Sequence, residues 1–313
     1  MNTSASHTTL PTAGPTAVAF DHVSRSFGAT TALDDVRLEI GVGETVALLG
    51  PNGAGKSTAI GIMLGLLDPS GGTARTLGLA PGQAVRSGRV GAMLQSATLP
   101  AGTRVGELVD LARALYPAPL SRQSILERAG LGDLAGRRVD RLSGGEAQRV
   151  RFALAIAGDP DLVFLDEPTV AMDVESRRAF WGDMRRSATE GRTILFATHY
   201  LDEADGVADR IIVLDHGRVV ANGSPSALKA GVAERTVRFA SADAAADDAA
   251  LRSLPGVTSL TRRGETVSLV CADADAAVRA LVRHGVDFRH LEVTGADLDA
   301  AFLALTNPAA RAA

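Results

Sequence analysis

The sequence has a single cysteine, Cys271, so no internal disulfide can form, which fits a reducing compartment. It also has no apolar run approaching the roughly 20 residues needed to cross a bilayer. Any membrane role therefore requires a partner. Basic charge is not in excess: 32 lysines and arginines face 36 acids, a net charge of −4. That balance lacks the footprint of a nucleic-acid binder. The first residues, Met1 to Thr16, are rich in Ser, Thr, Ala and Pro. They lack the basic start and apolar core of a secretory signal, and a flexible tail over residues 1–16 is expected.

What is present is ordinary globular material. The 313 residues are 46% hydrophobic and 22% charged, which suits one large domain and one small one. From Ala17 to Ile40, polar and apolar residues alternate, as in half-exposed antiparallel strands. Short apolar runs follow at Glu44–Leu49, Leu162–Leu165 and Thr193–Ala197. Each is stopped by polar or Gly/Pro residues and reads as a buried parallel strand. Helical patterns lie between them, at Ser57–Leu67, within Val105–Leu134, and at Glu175–Ala188. Strands alternating with helices predict a parallel α/β sheet. Arg210–Leu214 and Arg218–Ala221 suggest a closing hairpin. Beyond about Gly231 the order changes to β-α-β-β-α-β, which predicts a separate small α+β domain over 232–313.

Three motifs carry chemistry. Gly50-Pro51-Asn52-Gly53-Ala54-Gly55-Lys56-Ser57 fits G-x-x-x-x-G-K-[ST] between a buried strand and a helix. Its glycines let backbone N–H groups turn toward phosphate oxygens, and the helix start adds partial positive charge. Lys56 can reach the β- and γ-phosphates, and Ser57 can ligate Mg²⁺. The second motif is Leu162 to Leu165 running into Asp166-Glu167. An acid at a strand end can hold Mg²⁺ through water, and the next can orient or deprotonate a water. A carboxylate there can also simply cap a helix. The third, Leu142-Ser143-Gly144-Gly145-Glu146, is a polar Gly pair opening a helix. Ser143 can cap it, and its free N–H groups can bind an anion.

Together these residues resemble the ATP-binding cassette (ABC) ATPases over roughly Val18 to Pro225. The resemblance implies a P-loop NTPase fold of class α/β with an antiparallel β subdomain and a helical subdomain (about 96–150), over residues 17–231. Gly50 to Thr58 match Walker A, and Leu142 to Gly145 match the family's signature. Gln95 falls at the Mg²⁺-sensing glutamine. Asp166 falls at the Walker B aspartate, Glu167 at the catalytic glutamate and Asp173 at the D-loop. His199 matches the switch histidine that contacts the γ-phosphate. Phe27 sits where an aromatic stacks on adenine, core filling being its other reading. The sequence departs from the common pattern at Leu94, Glu146 and Ala171-Met172.

The resemblance implies that ATP and Mg²⁺ are bound by two chains paired head to tail. Ser143, Gly144 and Gly145 of one chain would then face the phosphate held by Lys56 of the other. It further implies a separate multi-span membrane permease, contacted by the helical subdomain, at the cytoplasmic face of the plasma membrane. Leu99-Pro100 and Ala114-Leu115-Tyr116-Pro117 are similar to sequences in antibiotic-resistance exporters. Leu291-Glu292-Val293-Thr294 and Asp297 to Thr306 resemble the C-terminal extension of daunorubicin-resistance-like ATPases. The competing expectation is a non-transport ABC ATPase acting on ribosomes or DNA, which the single cassette, the acidic charge and the lack of a long heptad segment disfavour.

Overall fold

The computed structural model describes residues 14–95, 98–230, 235–241, 247–295 and 297–306. Most of the expected tail lies outside these residues, and Thr16 already opens the first strand. The chain divides into two compact units, Met1–Ser224 and Pro225–Ala313.

The first unit begins with β1 (Thr16–Phe27), β2 (Thr30–Gly41) and β3 (Thr45–Leu49). Then come α1 (Lys56–Met63), β4 (Gly71–Thr76), α2 (Pro81–Arg86) and β5 (Val90–Met93). Helices α3 (Val105–Arg113), α4 (Arg122–Arg128) and α5 (Gly144–Ala155) follow, with two short 3₁₀ turns before α5. The unit closes with β6 (Leu162–Asp166), α6 (Val174–Thr189), β7 (Thr193–Ala197), α7 (Leu201–Val207), β8 (Arg210–Asp215) and β9 (Arg218–Gly223).

Every residue of β3, β6 and β7 is buried. That is why they read as continuous apolar runs: a parallel strand covered on both faces has no polar side. They lie in a six-stranded sheet of order β5-β6-β7-β3-β8-β9, parallel except for the β8–β9 hairpin. A second sheet, β2-β1-β4, is antiparallel, and its β1–β2 pair shows the expected alternation. Phe20, Val36, Leu38 and Ile40 turn inward and join one core with Leu48, Ile60, Phe164 and Leu195. Strands β4 and β5 carry no sequence signal. Two glycines open β4, and β5 has only four residues.

Helix α1 is shorter than its apolar pattern predicts. Gly65 (φ +68°) reverses the chain. Its N–H donates to the Ile62 carbonyl at 3.0 Å, and the Leu66 N–H to the Gly61 carbonyl at 2.8 Å. This paired bonding is a Schellman ending, which satisfies carbonyls the helix leaves open.

The second unit runs α8 (Pro225–Ala230), β10 (Arg235–Ala240), α9 (Asp248–Arg252), β11 (Val257–Arg263), β12 (Thr266–Cys271), α10 (Ala274–Arg283), β13 (Arg289–Thr294) and α11 (Leu298–Thr306). The sheet order is β11-β12-β10-β13, all antiparallel. Val237, Phe239, Val267 and Leu269 pack with Leu251, Ala277 and Leu281 in a core of their own. The unit starts before the expected position 232 because α8 packs on α11.

Phe164 is fully buried in the middle of β6. Phe164→Ala should lower stability by about 3–5 kcal/mol through lost burial and a residual cavity. Denaturant unfolding of the full chain, followed by a probe in the first unit, checks this.

Candidate nucleotide-binding site

Four neighbouring strands, β5, β6, β7 and β3, point their carboxyl ends to one rim of the sheet. In open α/β sheets that rim is where ligands bind. Strand β3 runs into the Gly50–Gly55 loop, β6 into Asp166-Glu167, β7 into Thr198-His199, and β5 into Leu94-Gln95.

The loop is shaped by close backbone approach. A Cβ at Gly50 would lie 2.3 Å from the Leu214 carbonyl oxygen, and one at Gly55 2.4 Å from that of Ala32. Gly55 also takes φ +105° and precedes α1 without a side-chain cap. The first N–H groups of α1 thus face the loop's concavity, an anion-binding arrangement. Lys56 folds back over it, its Nζ donating to the carbonyls of Gly50 (2.6 Å) and Pro51 (3.2 Å).

An open cleft of about 610 Å³ lies over the loop. Phe27, Ala32, Asn52, Gly53, Ala54, Gly55, Lys56, Ser57, Thr58, Gln95, Asp166, Glu167 and His199 line it. Phe27 is 46% exposed, so it is a surface aromatic at the cleft edge and not a core filler. The Arg25 guanidinium lies 4.7 Å from its ring centroid.

Burial sets the electrostatics. It pushes the Asp166 carboxyl above its ordinary value, with Lys56 and the Gln95 backbone pulling the other way. Glu167 is likewise raised by burial, opposed chiefly by His199. Lys56 is lowered by burial, opposed by Glu167 and Asp166. All three groups are thus held nearer neutrality than in water. His199 Nδ1 lies 2.7 Å from Glu167 Oε2. Glu167 takes the left-handed region at φ +52°, uncommon for a residue with a side chain. Its N–H donates to the Ala197 carbonyl at 2.9 Å, and its own carbonyl accepts from Gln148 Nε2 at 3.4 Å.

The Ser57 hydroxyl, the Gln95 amide oxygen and the Asp166 carboxylate form a hard-oxygen donor set around one buried acid. With phosphate and water oxygens added, such a set fits Mg²⁺. No group of three or more His, Cys, Asp or Glu suited to a metal occurs among the described residues.

Gly50 and Pro51 are not among the residues lining the cleft; their carbonyls hold Lys56 Nζ. Ser143, Gly144, Gly145 and Asp173 lie elsewhere in the first unit. Ser143 caps α5 in a reciprocal box: its hydroxyl accepts from the Glu146 N–H (3.2 Å), and Glu146 accepts from the Ser143 N–H (2.7 Å). Arg137 holds Glu146 at 2.8 Å. Gly144 and Gly145 pack on the segment after β6; a Cβ on Gly144 would sit 2.8 Å from the Ala171 Cβ. Asp173 caps α6 by accepting from the Ser176 N–H and hydroxyl, both at 2.8 Å.

Sequence reading missed Ala32 and Gln148 at this site. Ala32 looks like any small strand residue. Gln148 is a polar helix residue whose burial depends on tertiary contact.

Residues 33–170 match the family described as ABC transporter. The chain is 36% identical over 295 residues to the daunorubicin/doxorubicin resistance ATP-binding protein DrrA of Streptomyces peucetius, spanning 90% of this chain and 89% of that one. It is 34% identical over 304 residues to the Nod factor export ATP-binding protein I of Paraburkholderia xenovorans, spanning 93% and 97%.

The chain belongs to the ABC transporter family.

A span of 93% takes in most of the C-terminal unit as well as the cassette. A dimeric ATP-binding cassette in a post-hydrolysis state, bound to ADP and Pi, matches with a TM-score of 0.61 at 27% identity, covering 66% of this chain and 98% of that one. A bacterial Atm1-family ABC exporter with ATP bound matches with a TM-score of 0.62 at 28% identity, covering 73% and 42%. This ABC protein is thus the ATP-binding and ATP-hydrolysing subunit of an exporter-type transporter. Its similarity to exporters sets the ribosome- or DNA-acting alternative aside.

The raised Asp166 carboxyl has a stability consequence. An acid whose folded pKa exceeds its unfolded value binds more protons folded than unfolded. Stability therefore falls as pH rises from the unfolded through the folded value. Asp166→Asn should raise the thermal midpoint of the nucleotide-free ABC protein at pH 7, by about 2–4 °C for each kcal/mol released. It should also lower ATPase activity. Calorimetry at pH 4 and pH 7 checks the sign, since the gain should shrink at the lower pH.

Proposed function

We propose that the cleft holds ATP with adenine on Phe27 and the phosphates on the Gly50–Thr58 loop and the start of α1. Lys56 contacts the β- and γ-phosphates. Ser57, Gln95 and Asp166 hold Mg²⁺, which when bound neutralises phosphate charge. Glu167 accepts a proton from the attacking water, and His199, bonded to Glu167, steadies the γ-phosphate. The observation that carries this reading is the convergence of Lys56, Asp166, Glu167 and His199 on one cleft at the carboxyl ends of β3, β6 and β7.

The α5 N-terminus lies off that cleft within its own chain, which supports a composite site. Two copies pair head to tail, and Ser143, Gly144 and Gly145 of one close over the phosphate held by Lys56 of the other. Asp173 lies at the pairing face. The helical subdomain, about 96–150, couples this cycle to a separate multi-span permease, and residues 232–313 form an accessory domain. No helix of the described residues is long and apolar enough to cross a membrane. The likeness to transporter ATP-binding subunits supports a peripheral subunit on the cytoplasmic face of the plasma membrane. The relatives' names concern daunorubicin or doxorubicin resistance and Nod factor export. They support a drug, antibiotic or lipid-like small molecule as cargo, with no nucleic acid involved.

Glu167→Gln should bind ATP and accumulate as an ATP-held dimer in gel filtration, with turnover reduced about 10²–10⁴-fold. Near-normal hydrolysis would refute the assigned role. Lys56→Ala should weaken ATP affinity; an unchanged dissociation constant would count against the loop assignment.

Glu167 must be ionised to accept a proton. Because burial raises its pKa from 4.5, kcat should fall on acidification at a pH above 4.5. A pH–rate profile of kcat checks the position of that limb.

A further inference from the structure

The segments that carry Glu167 and His199 meet at a buried acid with no part in the chemistry above. Glu203, in the first turn of α7, is only 3% exposed. Its Oε2 accepts from the Thr198 hydroxyl at 2.9 Å, and its Oε1 accepts from the Thr169 hydroxyl. Both threonines are 1% exposed. Thr198 immediately precedes His199, and Thr169 follows Glu167 by two positions. One carboxylate therefore clamps the two chain segments whose side chains form the Glu167–His199 pair.

The clamp has a cationic side. Arg177 Nε, on α6, lies 3.4 Å from Glu203 Oε1, and its guanidinium stacks 4.2 Å from the Tyr200 ring centroid. The Tyr200 N–H donates to the Thr198 hydroxyl oxygen at 3.1 Å, and the His199 and Tyr200 rings are 4.1 Å apart. The Arg177 N–H donates to the Asp173 carbonyl at 2.9 Å, which ties in the start of α6. A charge this deeply buried is costly unless paired and fully bonded. Here the carboxylate has three partners, the Thr198 and Thr169 hydroxyls beside the catalytic pair and Arg177 on α6. Glu167 also needs support, because it holds φ +52°.

We propose that Glu203 is a positioning residue for ATP hydrolysis. By bonding Thr198 and Thr169 at once, it fixes the separation of Glu167 and His199. It touches no group that lines the nucleotide cleft, so it acts on turnover and not on nucleotide binding. The proposal rests on the roles given above to Glu167 and His199.

The test uses the full-length chain and four variants: Thr198→Val, Thr169→Val, Glu203→Ala and Glu203→Gln. The two valines each remove one arm of the clamp without leaving a charge alone, so they decide the question even if Glu203→Ala does not fold. Each should lower kcat about 10- to 100-fold, the scale of a small misplacement of reacting groups. KM for ATP should stay within about twofold, since uniform binding is untouched. Glu203→Gln, which keeps one acceptor, should recover part of the kcat lost in Glu203→Ala. Added to Glu167→Gln, Thr198→Val should cause no further loss, because the residue it positions is gone. A folded Thr198→Val and Thr169→Val with normal kcat, beside an inactive Glu167→Gln, would overturn the proposal alone. So would losses that appear in KM, or that multiply fully with Glu167→Gln. Near-normal hydrolysis by Glu167→Gln itself would remove the reading of the cleft and this proposal with it.

Discussion

Everything at the cleft depends on the parallel register of three buried strands. Leu48 on β3 stands opposite Ala197 on β7, and Ala197 stands opposite Asp166 on β6. This alignment makes the three strands end level, so that the glycine loop, the acid pair and His199 leave the sheet side by side. A slip of one residue would turn every side chain to the other face and displace the acids from the lysine. Phe164, Leu195 and Leu48 hold the register by being wholly buried on the same core. The chemistry thus inherits its geometry from apolar packing that never touches nucleotide.

The second organising fact is that this packing buries Asp166 and partly buries Glu167 and Lys56. Asp166 and Glu167 are driven upward in pKa and Lys56 downward by the same desolvation. A low-dielectric setting strengthens any interaction these groups make with phosphate or a cation, and it makes their unpaired charges costly.

Much of this was legible in the sequence, for identifiable reasons. Strands covered on both faces must be apolar throughout, so β3, β6 and β7 stood out. The loop was legible because Gly50 and Gly55 sit where no Cβ fits. The order of elements in the C-terminal unit followed from alternation and turn residues. Other features depend on tertiary contacts that spacing does not encode. Strand β4, with its exposed glycines, forms only because β1 offers an edge. Gln148 and Glu203 look like solvated helix residues until the fold closes over them. The end of α1 followed Gly65 and overrode the apolar stripe that continues to Leu67. The six-residue α8 reads as part of the cassette in sequence but packs on α11.

The box at the start of α5 has one more effect. In it the Ser143 hydroxyl serves as an acceptor, while the backbone N–H of the same residue is taken by Glu146. An oxygen that accepts still owns its proton. The box therefore fixes the Ser143 oxygen in place and leaves its O–H free to donate, at a helix start where the first N–H groups have no intrahelical acceptor. The Glu146 carboxylate that closes the box is itself bound by Arg137, which offsets its negative charge at this end. An anion approaching the tip meets a hydroxyl oxygen already held in position. It cannot draw on the Ser143 amide without first breaking the cap.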